Sequence, residues 1–122
     1  VKILIVEPRQ RPRRADIPHT LDEMQRIVGG YIQAVYWFPD PVALVCDDDG
    51  KLKGSELNRY IAGKDIIAGT FFICGLAAED FTDLPDDLAE KYEKLLRYPQ
   101  AFARVPNGIL VISENGRTEI IR

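Results

Sequence analysis

Asn58 and Arg59 close a polar segment, residues 54–60, that precedes the most apolar run of the chain, DIIAGTFFICG at 65–75. An arginine fork grips carboxylate or phosphate through two parallel hydrogen bonds, and an asparagine amide both donates and accepts. Two readings of the pair follow. Either Asn58 closes its own turn and Arg59 reaches an acid, or the two hold a small anionic ligand, such as a nucleotide, near residues 69–75. A second cationic cluster, Arg9, Arg11, Arg13 and Arg14, lies in an arginine-rich loop with two prolines. It reads as solvated, as a seat for an acidic partner or ligand, or as a nucleic-acid contact. No aromatic residue is interleaved with it, so a stacking platform for single strands is not indicated.

Residues suited to catalysis are sparse. His19 is the only histidine, set between Pro18 and Thr20 with no serine or cysteine beside it in a nucleophile motif. It reads as solvated or helix-capping rather than as a general base. Cys46 and Cys74 sit in apolar strand-like runs and read as free, buried thiols, or as a disulfide between neighbouring strands if the chain is secreted. With one histidine they do not complete a zinc site without carboxylates. Asp47-Asp48-Asp49-Gly50 opens like a calcium loop but lacks the alternating ligands and closing glutamate; a solvated turn is expected. Asp83, Asp86, Asp87 and Glu90 read as helix N-terminal charge. Gly63, Gly69 and Gly75 let neighbouring elements pack closely rather than cradle phosphate, since no phosphate loop or dinucleotide fingerprint is present. These residues lean away from an enzyme, and neither cofactor nor metal is expected.

Tyr31, Tyr36, Trp37 and Phe38 flank the Pro39-Asp40-Pro41 turn. They belong to the core or, where exposed, anchor an interface.

The elements that position these groups follow from pattern. A chain of 122 residues is one domain, 1–122, with length enough for its own core. Its net charge of −3 argues against nucleic acid and anionic membranes, although residues 1–14 carry +4 and leave −7 for the rest. No run reaches the ~20 apolar residues of a membrane span, and VKILIVEP is no secretory signal. A cytoplasmic location is expected. Residues 2–8 predict a strand stopped by Pro8. Thr20 and Glu23 form a capping box for a helix from residue 21 to about 28, ended by Gly29-Gly30. Residues 31–38 and 42–46 predict a hairpin, and SELNRYIAG one or two helical turns. The apolar run continuing to Ala77 reads as one central strand. Thr82 or Asp83 caps a second helix with Leu88, Tyr92, Leu95 and Leu96 buried. Residues 109–113 and 118–121 form a C-terminal hairpin (109–121) through Asn115-Gly116, a pair that accepts positive φ. The expected fold is α+β: a mixed, largely antiparallel sheet with two main helices in βαββ-βαββ order. If the helices share one face of the central strand, the C-terminal hairpin or a second subunit must cover the other.

KILIVEP, TLDEMQRIVGGYIQAVYWFPDPVALVCDDDGKLKGSELNRY and DIIAGTFFICGLAAEDFTDL together resemble the domain-of-unknown-function 3846 family over residues 2–99. The resemblance implies proteins of Firmicutes, phages and conjugative elements, encoded beside antirestriction-type genes, with no assigned reaction or active site to carry over. The expectation is a small accessory protein of phage or mobile-element type. It acts without catalysis by binding a host protein or itself, as a possible homodimer, through Tyr36 and Trp37 or the four arginines. The alternative is the small anionic ligand at Asn58 and Arg59.

Overall fold

In the computed structural model, which describes residues 1–122, the first strand is β1 (Lys2–Val6), four of whose five residues are buried. It pairs antiparallel with β2 (Arg13–Asp16), Ile3 opposite Ala15 and Ile5 opposite Arg13. The second half of the arginine-rich segment is therefore an edge strand and not loop. Pro12 stands just before it, where a missing N–H breaks no ladder bond.

Helix α1 (Leu21–Val28) matches its expected bounds, with the Glu23 amide donating to Thr20 Oγ1 at 3.2 Å and Gly29 left-handed at φ 85°. The capping box is only half made, because the Glu23 carboxylate pairs with Arg26 instead of turning back. β3 (Ile32–Val35) and β4 (Val42–Asp47) follow. β3 is shorter than the expected 31–38, since the chain leaves the ladder so that Trp37 and Phe38 pack on the core.

Residues 57–61 are not helical. They form β5 (Leu57–Ile61), which pairs with β6 (Asp65–Ala68) in a two-stranded sheet. The apolar run thus divides: the left-handed Gly69, at φ 81°, turns the chain before β7 (Phe71–Ala77). β7 is the expected centre of the main sheet, whose order is β2-β1-β7-β4-β3. Its tail carries β8 (Asp80–Thr82), and Gly75 is required there, because a Cβ would meet the Asp83 carbonyl at 2.4 Å.

Helix α2 (Asp86–Leu95) starts from Pro85 without a side-chain cap. Thr82 is held in β8, and Asp83 instead accepts from the Lys2 amide at 2.8 Å. Its buried stripe is Ala89, Tyr92 and Leu96; Leu95 is 60% exposed, contrary to expectation. Phe71 and Ile73 pack with that stripe, and Phe72 and Cys74 pack with Met24 and Val28 of α1. The helices cover opposite faces of β7, so no second subunit is needed to bury either. A strand missed in the sequence, β9 (Gln100–Val105), joins β10 (Gly108–Ser113) and β11 (Thr118–Ile121) in a meander. At the Asn115-Gly116 turn only Gly116 takes positive φ. The α+β class stands, but the molecule is dominated by strands, every strand pair is antiparallel, and the order differs from βαββ-βαββ. No helix is long and apolar enough to cross a membrane.

The Pro39-Asp40-Pro41 turn is locked to α2. The buried Tyr92 hydroxyl donates to Asp40 Oδ2 at 2.6 Å and Lys91 Nζ to the same oxygen at 2.7 Å. The Lys91 bond, then the Tyr92 bond, hold the Asp40 pKa below its ordinary 3.8. A depressed folded pKa adds stability above the ordinary value, and that stability is lost as pH falls through the folded one. Asp40→Asn should therefore shrink the drop in melting temperature between about pH 5 and about pH 3, measured against wild type.

Candidate binding cleft

A register shift at Asn58 interrupts the β5 ladder between Leu57 and Arg59. A bulge breaks strict alternation, so consecutive side chains can both sink inward. Asn58 is fully buried and Arg59 is 1% exposed. Arg59 Nε donates to Leu96 O at 3.2 Å and Nη2 to Gln10 O at 2.6 Å. Nη1 donates to Asn58 O at 3.2 Å and to Asn58 Oδ1 at 2.9 Å. Asn58 Nδ2 donates to Val6 O and Gly69 O, each at 2.9 Å. The pair ties β5 to the end of β1, the β1–β2 loop, the link between β6 and β7, and the C-terminal end of α2.

Arg59 does not reach an acid, as the sequence suggested; every acceptor it meets is uncharged. Leu96 O lies at the negative end of the α2 dipole, which suits a cation. Burial pushes the guanidinium down to about 10 from 12.5, with Glu114 opposing the shift. It remains charged at neutral pH.

Beside this lock lies a cleft of about 510 Å³. One wall is residues 59–62; the end of α2 adds Leu95, Leu96 and Tyr98. The meander supplies Gln100, Val111, Ser113, Arg117 and Glu119. In the strand register Gln100 lies opposite Ser113, and Glu119 opposite Val111, so these residues share the inward face. Sequence reasoning found only Arg59 of this set. The meander residues depend on β9, which QAFARV does not announce, and the Asn115-Gly116 turn was the one visible signal for them.

The remaining candidates lie elsewhere. Each loop arginine already has a carboxylate from its own chain: Arg9 with Glu56 at 2.9 Å, Arg11 with Glu114 at 2.6 Å, Arg13 with Glu7 at 3.0 Å and Arg14 with Glu93 at 2.7 Å. All four are surface pairs, worth about 0–1 kcal/mol each. Tyr36 is 62% exposed, whereas Trp37 is half-buried against the core. Phe38 packs on Tyr92 with ring centres 4.7 Å apart. His19 is exposed, 3.5 Å from Asp80, and outside the cleft. Asp47 is buried, not solvated; it accepts from the Asp49 amide at 2.9 Å and pairs with Lys53. No group of three or more His, Cys, Asp or Glu side chains converges on one point.

Cys46 and Cys74 are buried and free. Ala43 lies opposite Cys74, which places Cys46 on the other face of the sheet. A disulfide between them is therefore excluded. Burial raises the thiols to about 11 and about 12. A thiol reagent at neutral pH should find no reactive group in folded protein and two per chain after denaturation. Rapid reaction before unfolding would contradict this placement.

No curated protein and no solved structure matches the chain. The family model described as domain of unknown function (DUF3846) matches residues 1–97, from β1 through the end of α2, and the chain belongs to that family.

Proposed function

We propose that this protein is a small accessory protein of phage or mobile-element type that binds another protein, without catalysis, through the cleft beside Arg59. The observation that carries the reading is the cleft itself: a mixed polar and apolar recess backed by a lock that fixes β5. Rigid support of this kind keeps a binding surface preorganised. The arginine loop fits a partner less well, because its cations are already paired within the chain.

Affinity capture from host lysate with quantitative mass spectrometry tests the reading. Glu119→Trp fills the cleft, and Tyr36→Ser alters the distant aromatic patch. Proteins captured by wild type should be lost with the first variant and kept with the second. The reverse pattern would move the site to the β3 side.

A second reading, a small anionic ligand, draws on one observation: the Arg59 charge has no paired carboxylate. It expects a rise in melting temperature with nucleotides that Glu119→Trp removes.

A further inference from the structure

We infer that two copies of this chain pair antiparallel through the free edge of β3, with a two-fold axis at Ala34, so that their main sheets join into one. β3 lines no part of the cleft, so this contact is separate from cleft binding. The sheet order puts β2 at one end and β3 at the other. Sheets protect an end strand with charge, proline or a bulge. β2 is protected: Arg13, Arg14 and Asp16 make it charged, and Pro12 precedes it. β3 has none of these devices. Its ladder with β4 runs without a register shift, and no charged residue occurs from Gly29 to Pro39.

The ladder fixes which groups of β3 face outward. The Asp48 amide donates to Tyr31 O at 2.8 Å, and the next residues, Ile32 and Asp47, lie opposite each other. Tyr31 and Asp48 are thus a hydrogen-bonded pair, and such pairs alternate with non-bonded ones in an antiparallel ladder. Gln33 and Val35 therefore bond to β4, while the N–H and C=O of Ile32 and Ala34 point away from it. The other side of β4 keeps the same phase. Leu76 N donates to Pro41 O at 2.9 Å, so Ala43 and Val45 bond to β7 and leave Leu44 and Cys46 for β3. Nothing occupies the outward groups. The nearest side-chain bonds along the chain are Lys53 Nζ to Gly29 O and Lys91 Nζ to Asp40 Oδ2, outside the strand on both sides.

A second copy fits this edge because the strand complements itself. Val35 and Trp37 pack on the α2 side, and Ile32 and Ala34 on the α1 side, so side chains alternate along the strand. With Ala34 facing Ala34 of the second copy, Tyr36 lies opposite Ile32 of that copy and Tyr31 opposite its Trp37. Tyr31 is 75% exposed and Tyr36 62% in the single chain. Each exposed ring thus gains an apolar or aromatic partner, the kind of cross-strand pair that stabilises sheets. A register centred on Gln33 would set Tyr36 against Gly30 instead.

Light scattering on the full chain at micromolar concentration should give twice 13.8 kDa. Ala34→Pro removes one outward N–H, which an edge strand tolerates. Gln33→Lys combined with Tyr36→Lys changes two exposed residues and supplies the missing charge. Each variant, folded by circular dichroism, should raise the dimer dissociation constant by about tenfold or more. Ala34→Cys should cross-link two copies under mild oxidation, since facing Cα atoms of a bonded pair stand about 5.5 Å apart. Gln33→Cys should not, and Cys46 and Cys74 are buried. A wild type that stays monomeric, or a dimer that persists in the lysine variant, overturns the pairing whether or not the proline variant folds. Cross-linking through Gln33→Cys and not through Ala34→Cys would overturn the axis at Ala34.

Discussion

Arg59→Ala should lower the melting temperature by on the order of ten degrees. The substitution strips donors from Leu96 O, Gln10 O, Asn58 O and Asn58 Oδ1 in a region where Arg59 is 1% exposed. A buried acceptor left without a donor costs about 1–3 kcal/mol, and partial relaxation brings the sum to roughly 3–5 kcal/mol. In a domain of this size about 1 kcal/mol corresponds to a few degrees. Arg59→Lys should recover little, because an ammonium is a point charge and lacks the planar fork that spans three backbone carbonyls. Urea and thermal unfolding measure the loss, and whatever binding remains is expressed per folded molecule. Retained binding is the expected result. Unchanged stability with lost binding would make Arg59 a ligand group instead of a lock.

Asn58 should be nearly as sensitive, and its aspartate variant separates charge from geometry. Asn58→Ala leaves Val6 O and Gly69 O without their donor and removes the acceptor of one Arg59 bond. The cost is about 3 kcal/mol by the same accounting. Asn58→Asp gives Arg59 a carboxylate partner, yet it replaces a donating amide with an oxygen facing two carbonyls. Because burial of the new charge also costs, Asn58→Asp should be no more stable than Asn58→Ala. An aspartate variant as stable as wild type would show that pairing the Arg59 charge outweighs the two lost donor bonds.

The legible parts of the fold were those written in local chemistry. Thr20, the apolar spacing of Met24 and Val28, and Gly29 fixed α1 at both ends. Asn115-Gly116 placed the β10–β11 turn. Strand alternation puts Phe71 and Ile73 on one face of β7 and Phe72 and Cys74 on the other, as the packing shows. Errors arose where tertiary contacts outweighed local preference. Residues 57–61 have mixed propensity and become a strand because Asn58 and Arg59 are bonded to groups 37 to 52 residues away. Gly69 lies inside an unbroken apolar run, and nothing local marks it as the corner between β6 and β7. The acids that pair with Arg9 to Arg14 lie on four separate segments, so their neutralisation is invisible in one dimension. Asn58 and Arg59 were singled out by type alone; their role as a lock required the partners.

The claim that Asn58 and Arg59 act as one unit is tested most directly by a double-mutant cycle. Urea unfolding is measured for wild type, Asn58→Ala, Arg59→Ala and the double variant. Because each single change already opens the shared network, the double variant should be little worse than the worse single, giving a coupling of about 1–3 kcal/mol. Additive losses, with coupling below about 0.5 kcal/mol, would contradict the lock.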